Sequence, residues 1–156
     1  MLGVRLICVG KLKERYWRDA VAEYEKRLRP LCRWELVELP EARLPQDPSP
    51  AEIRAALEKE AAAILERTQG AVYPLCIEGK QLDSPALARR LQKAMDHPGA
   101  VTFVIGSSFG LADAVKQAGE GISMSPMTFP HQLARVMLCE QLYRGFQILQ
   151  NSKYHK

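Results

Sequence analysis

Residues 101–106 read VTFVIG, a run rich in β-branched residues, with no charge and no alternation of polar with apolar positions. A strand of this kind has no face to give to water. It belongs in the interior of a sheet covered on both sides, the usual setting of parallel strands joined by helical crossovers. The rest of the chain supplies that setting, because short apolar runs alternate with segments of helical periodicity from end to end, which predicts an α/β domain.

The first strand is expected at about residues 4–9, ended by Gly10. A helix follows from about Tyr16, with Trp17, Ala20, Val21, Tyr24 and Leu28 at helical spacing, and stops at Pro30. WELVEL alternates as a second strand, and PEARLPQDPSP, with four prolines, reads as a loop. That loop closes on a helix start: Ser49 as cap, Pro50 at the first helical position and Glu52 completing a capping box, with the helix running to about Arg67. VYPLCIEG is the third strand, where Pro74 predicts an edge or an irregular ladder. Ser84 and Pro85 repeat the Ser-Pro start for a further helix. LADAVKQAG predicts a short helix, ISMSPMTF an extended segment broken by Pro126, and residues 131–149 a long final helix. Five strand–helix units predict one three-layer domain over residues 1–156.

The chain's 156 residues are enough to bury a core without disulfides or a structural metal. Its four cysteines are widely spaced with no CxxC pair, which predicts reduced thiols and a cytoplasmic protein. The apolar opening MLGVRLICVG is short and holds Arg5, so it reads as a strand and not a signal peptide, and no later run is long enough for a bilayer. Three scattered histidines without paired cysteines or HExxH predict no metal site. The net charge of +4 is unevenly spread: residues 1–33 carry nine Lys/Arg against four Asp/Glu, residues 34–130 nine against thirteen, and residues 131–156 four against one. If the two basic ends share a face, that face suits a polyanion such as RNA; solvated helix faces explain the same numbers.

Two stretches carry candidate chemistry. IGSSFGL at residues 105–111 joins the best strand to a helix, the place where open α/β sheets bind ligands. It also contains GxSxG, with Ser108 as a would-be nucleophile needing Asp113, Glu120 or Glu140 and then His131 or His155. The same glycines suit a plain tight turn. No GK[ST] follows a glycine-rich loop, which excludes a P-loop. In FPHQLARVMLCEQLYRGFQIL, the residues Leu133, Val136, Met137, Glu140, Tyr143, Arg144 and Gln147 fall at helical spacing, and Glu140 and Arg144 form an i, i+4 pair. Directly behind stands QNSKYHK, which by position alone is a frayed end.

At IG…FGL, MSPMTFPHQLARVMLCEQLYRGFQI and the terminal YHK, the sequence resembles the ribosomal RNA large subunit methyltransferase H family, within the SPOUT class of knotted methyltransferases. The likeness extends to the opening VGKLKERYW…EYEKRL; the combination of TFPH, LxEQLYR and YH is its most specific part. It implies a C-terminal trefoil knot, a homodimer, S-adenosylmethionine as cofactor, and methylation of N3 of a pseudouridine in 23S rRNA of the assembled 70S ribosome. Carried over by position, it implies cofactor contacts at Leu75, Gly106 and the run Met124, Ser125, Pro126, Met127, Thr128 and Phe129. Two departures are visible: Ser107 where the family usually has a second glycine, and Lys153 where it often has a proline before the tyrosine.

Methyl transfer to a ring nitrogen requires an oriented base, a route for its proton and stabilisation of developing negative charge. Under the resemblance, His155 is the expected base or relay, Arg144 the stabilising cation, Tyr154 a stacking or hydrogen-bonding group and Glu140 the residue that orients Arg144. A serine hydrolase built on Ser108 and a non-catalytic ribosome-associated RNA-binding module are the alternatives.

Overall fold

A computed structural model describes residues 1–156. Five strands, β1 (Gly3–Val9), β2 (Arg33–Leu39), β3 (Ala71–Gln81), β4 (Ala100–Ile105) and β5 (Ile122–Ser123), form one sheet in the order β2-β1-β4-β3-β5. Every pairing is parallel. The VTFVIG run is β4, at the centre, and Val101 to Ile105 are all buried. Its one polar residue, Thr102, is fully buried but satisfied: its hydroxyl donates to the Gln69 carbonyl at 2.7 Å and accepts from the Gln69 N–H at 2.9 Å.

Side-chain alternation along the central strands makes two cores. Val4, Leu6, Cys8, Phe103 and Ile105 face α1 (Arg15–Leu28), α3 (Ser84–Asp96) and α5 (His131–Leu149). Ile7, Val9, Val37 and Val104 face α2 (Pro50–Arg67) and α4 (Asp113–Lys116). Helices on both faces of a parallel sheet give the expected three layers. Arg5 inside β1 is accommodated because its guanidinium reaches the Glu35 carboxylate at 2.8 Å and the last-turn carbonyl of Arg67 on α2.

Several local expectations are adjusted. The Ser49 capping box is present, but α3 is capped by Asp83, which accepts from Ala86 N–H, so that Ser84 is already helical. The segment 111–119 is helical only over α4, and 122–129 is a strand only over β5. Pro74 sits where β3 stops pairing with β4; beyond it the ladder passes to β5 with a register shift between Leu75 and Lys80. The stripe of α5 that enters the core is Arg135, Leu138, Cys139, Leu142, Gly145 and Phe146, whereas Leu133, Val136, Met137, Tyr143 and Gln147 are only half-buried. Of these, Val136 and Tyr143 still pack against the edge of the core, and Leu133 and Met137 lie on the outer flank of the helix.

Candidate functional site

Parallel strands end on one edge, and at the carboxyl edge of β3, β4 and β5 lies a cavity of about 890 Å³. Its walls are the stretch of β3 beyond its pairing with β4 (Leu75 to Glu78), the turn from Ile105 to Leu111, and the segment from β5 into the first turn of α5. Leu75, Gly106, Met124, Ser125, Met127, Thr128 and Phe129 all line it; Pro126 does not, being exposed on the outer side of its turn. At the rim, Lys116 and Glu78 form an ion pair at 2.5 Å that raises the pKa of the lysine and lowers that of the carboxyl.

Gly106 has a structural reason that the cofactor argument does not supply. A Cβ there would stand 2.2 Å from the Gly110 carbonyl oxygen, because Ser107 and Gly110 close a tight turn, Gly110 N–H donating to Ser107 O at 2.9 Å. The 124–129 segment is built differently. Ser123 Oγ donates to Ser125 O, and Ser125 Oγ accepts from Met127 N–H, at 3.0 Å each. The backbone N–H groups of Met124, Ser125, Thr128 and Phe129 have no partner within the chain.

The four residues expected at the substrate side form one connected cluster. After α5, Asn151 takes a left-handed conformation (φ 54°), with Asn151 N–H donating to Ile148 O and Ser152 N–H to Gln147 O, a Schellman turn that folds the tail back along the helix. Tyr154 OH then donates to Glu140 Oε2 at 2.8 Å, and Arg144 donates to the same carboxylate at 2.8 and 3.3 Å. Arg144 Nη1 lies 3.2 Å from His155 Nδ1, and its guanidinium stacks 4.8 Å from the Tyr154 ring centre. Tyr143 meets the same ring edge-on at 4.9 Å. A guanidinium has no acceptor, so His155 Nδ1 must accept and the ring proton is assigned to Nε2.

The electrostatics follow from these contacts. Burial opposes ionisation of Glu140, but the hydrogen bonds from Arg144 and Tyr154 outweigh it and hold the carboxyl below its usual range. Burial, then the bond to the Glu140 carboxylate, pushes the Tyr154 phenol up to about 12, so it stays a proton donor at neutral pH. The cluster and the cavity do not meet in one chain. Ala134 is the last α5 residue on the cavity wall, and ten residues of helix, about 15 Å, separate it from Arg144.

A family profile described as "Predicted SPOUT methyltransferase" matches residues 2–155. The chain belongs to that family. Among solved structures, it is similar to TrmJ from Z. mobilis ZM4, at 14% identity over 93% of this chain and 70% of that one, with a TM-score of 0.54. It is also similar to the tRNA (m1G37) methyltransferase from Aquifex aeolicus, at 12% identity over 91% and 69% of the two chains, with a TM-score of 0.52. At such identities the likeness concerns the fold. The passage of the chain from β5, beside β3, to α5 against α1 and α3 is consistent with the knotted threading implied by the resemblance.

SPOUT methyltransferases use S-adenosylmethionine, and the cavity fits such a group: its walls are largely apolar, and unpaired N–H donors face no competing acceptor within the chain. The hydrolase reading finds no support in the geometry. Ser108 is not in the strained positive-φ conformation, which Asn151 alone adopts among non-glycine residues, and no histidine bonds it. Glu140 and His155 are engaged with Arg144. No group of three or more His, Cys, Asp or Glu residues is disposed to hold a metal ion, and no helix is long and apolar enough to cross a membrane.

Sequence reasoning missed Arg135. It is 2% exposed, donating to Glu38 at 2.6 Å and to the Gly10 carbonyl at 3.0 Å, while its Nε has no partner. The signal was available: a cation at position 135 falls on the stripe Leu138, Cys139, Leu142, Phe146, where a charge is not expected without a buried partner.

Proposed function

We propose that this SPOUT methyltransferase acts as a homodimer on 23S rRNA of the assembled 70S ribosome, in the cytoplasm, methylating N3 of a pseudouridine. The observation that carries the reading is the Glu140–Arg144–Tyr154–His155 cluster, built from the very residues on which the resemblance rests, with Glu140 about 9 Å and Arg144 about 15 Å along α5 from the cavity of its own chain. A second copy would bring this cluster to the cavity. Leu133, Met137 and Ile148, half-buried and outside the core, leave apolar surface on α5 for such a contact.

S-adenosylmethionine supplies an electrophilic methyl group. Leu75, Met124, Ser125, Thr128 and Phe129 would hold it through apolar contact and backbone N–H donors, and the uncapped first turn of α5, free of acidic residues, would favour its carboxylate. Toward the base, Arg144 stabilises the negative charge that N3 shares with its flanking carbonyls as the proton leaves. His155, protonated on Nε2, donates to one of those carbonyls. It can accept the N3 proton only after Arg144 leaves Nδ1, so approach of an anionic substrate that draws Arg144 away would switch His155 from donor to acceptor. Tyr154, with its hydroxyl held by Glu140 and one face by Arg144, positions the tail.

The test is methyl incorporation from labelled S-adenosylmethionine into 70S ribosomes and into free 23S rRNA, with the modified nucleoside identified. Transfer to ribosomes giving an N3-methylated pseudouridine supports the reading. Transfer to tRNA, or no transfer to either ribosomal substrate, overturns it.

A further inference from the structure

The connection from β1 into α1, GKLKERYWR at residues 10–18, holds four cations and one carboxylate, and Lys11, Lys13, Arg15, Tyr16 and Arg18 are all exposed. Tyr16 is 65% exposed, its ring supported edge-on by Trp17 at 5.1 Å. The cations are not equivalent. Arg18 donates to the Leu12 and Lys13 carbonyls and so shapes the loop over buried Leu12. Lys11 and Lys13 enter no ion pair, and Arg15 has only a loose contact of 3.6 Å with Asp19.

The place of this loop is fixed by the fold. β1 neighbours β4, so the loop leaves the same carboxyl edge as the cavity, one strand away from the Gly106 turn. Its base is fastened to the cavity wall, because buried Arg135 grips the Gly10 carbonyl from one helical turn beyond His131, which lines the cavity. Unpaired surface cations alone are ordinary, and what sets this loop apart is the exposed ring placed among them at the cavity edge. Here a large aromatic ring stands in water among unpaired cations, the combination that holds single-stranded RNA by stacking and phosphate contact.

We infer that the β1–α1 loop is the surface on which the substrate RNA strand lies as its target base enters the cavity. Tyr16 stacks on a neighbouring nucleobase, Lys11, Lys13 and Arg15 take backbone phosphates, and Arg135 keeps the loop in register with the cofactor cavity. This rests on the RNA methyltransferase reading.

The test uses the full-length protein, the Lys11→Ala/Lys13→Ala pair, Tyr16→Ala, and Lys59→Ala on α2 as control. Binding of a labelled oligouridylate is titrated across salt, and methyl transfer is measured on 70S ribosomes. The lysine pair should lower the slope of log K against log salt by about 1.4 and raise KM for ribosomes about tenfold. Tyr16→Ala should weaken binding about tenfold with the slope unmoved. Affinity for S-adenosylmethionine and melting temperature should match wild type in both, and Lys59→Ala should change nothing. If wild type transfers methyl and both loop variants keep its KM and salt slope, the inference falls while the proposed function stands. If wild type transfers none, it is the proposed function that fails. A change of oligomeric mass in Tyr16→Ala without weaker RNA binding would make this a subunit contact and overturn the inference.

Discussion

At the N-terminal end of α5, the segment 124–129 carries backbone N–H groups without partners in the chain; at its C-terminal end, Glu140, Arg144, Tyr154 and His155 satisfy one another. The first region is arranged to receive a ligand without rearrangement, since nothing must be broken before its donors can be used. The second is arranged to hold itself together: the Glu140 carboxylate, the Tyr154 hydroxyl and His155 Nδ1 must each give up a partner to touch substrate, whereas the His155 Nε2–H is left free to do so. Cofactor binding should therefore be insensitive to the tail, whereas turnover should depend on it.

Removing residues 154–156 tests this separation most severely. The truncated protein should lose methyl transfer altogether while its affinity for S-adenosylmethionine, measured by calorimetry, stays within about twofold. Full turnover by the truncated chain would dissolve the distinction between the two regions.

Gly106→Ala attacks the other region. The added Cβ would collide with the Gly110 carbonyl, so the turn must open, at a cost of about 1–3 kcal/mol in stability and with weaker cofactor binding. Unchanged melting and unchanged affinity would show that the turn relaxes freely and that the cavity wall is less fixed than its contacts indicate.

Glu140 sharpens the account of the tail. Its carboxyl is held below the ordinary value, so its stabilising contribution is complete above the usual carboxylate range, near about 4.3, and is lost as pH falls through the depressed value. Glu140→Gln should lower stability by about 1–2 kcal/mol at neutral pH, and the gap from wild type should close on acidification. Tyr154 behaves oppositely: its contribution is present below the ordinary tyrosine range and lost as pH rises through about 12. A gap that stays constant from pH 7 to pH 3 would mean that the carboxylate is not what holds the tail.

The fold was legible because its signals are local. Ser49 with Glu52 states a helix start, VTFVIG states a doubly covered strand, and both stand where expected. The misses come from tertiary geometry. Two stripes of α5 are apolar enough to enter a core, and only packing against α1 and α3 decides that Leu138, Leu142 and Phe146 do so while Leu133 and Met137 remain on the flank. Within the candidate site, the residue types at 140, 144, 154 and 155 came from family resemblance; no periodicity indicates that a left-handed Asn151 returns the tail to Glu140. The separation of cavity from cluster was equally hidden, since spacing along a helix gives distance but not which end faces a ligand.

The smallest expected effect belongs to Glu60, which is 7% exposed on α2 and accepts from the Ala42 N–H at 2.9 Å beside the Ser107 turn. Burial raises its pKa against the opposing pull of Ala42 and of the Ser107 hydroxyl. For a carboxyl with a raised folded-state pKa, stability is complete below the ordinary glutamate value and declines as pH rises through the raised one. Glu60→Gln keeps an acceptor for Ala42 without a charge to bury. The variant should therefore equal wild type in acid and exceed it at neutral pH, by less than about 1.5 kcal/mol, in thermal melts across that range. If Glu60→Gln is instead the less stable protein at pH 7, the ionised carboxylate itself holds the Ser107 turn, and the cavity wall then depends on a charge, as the tail does.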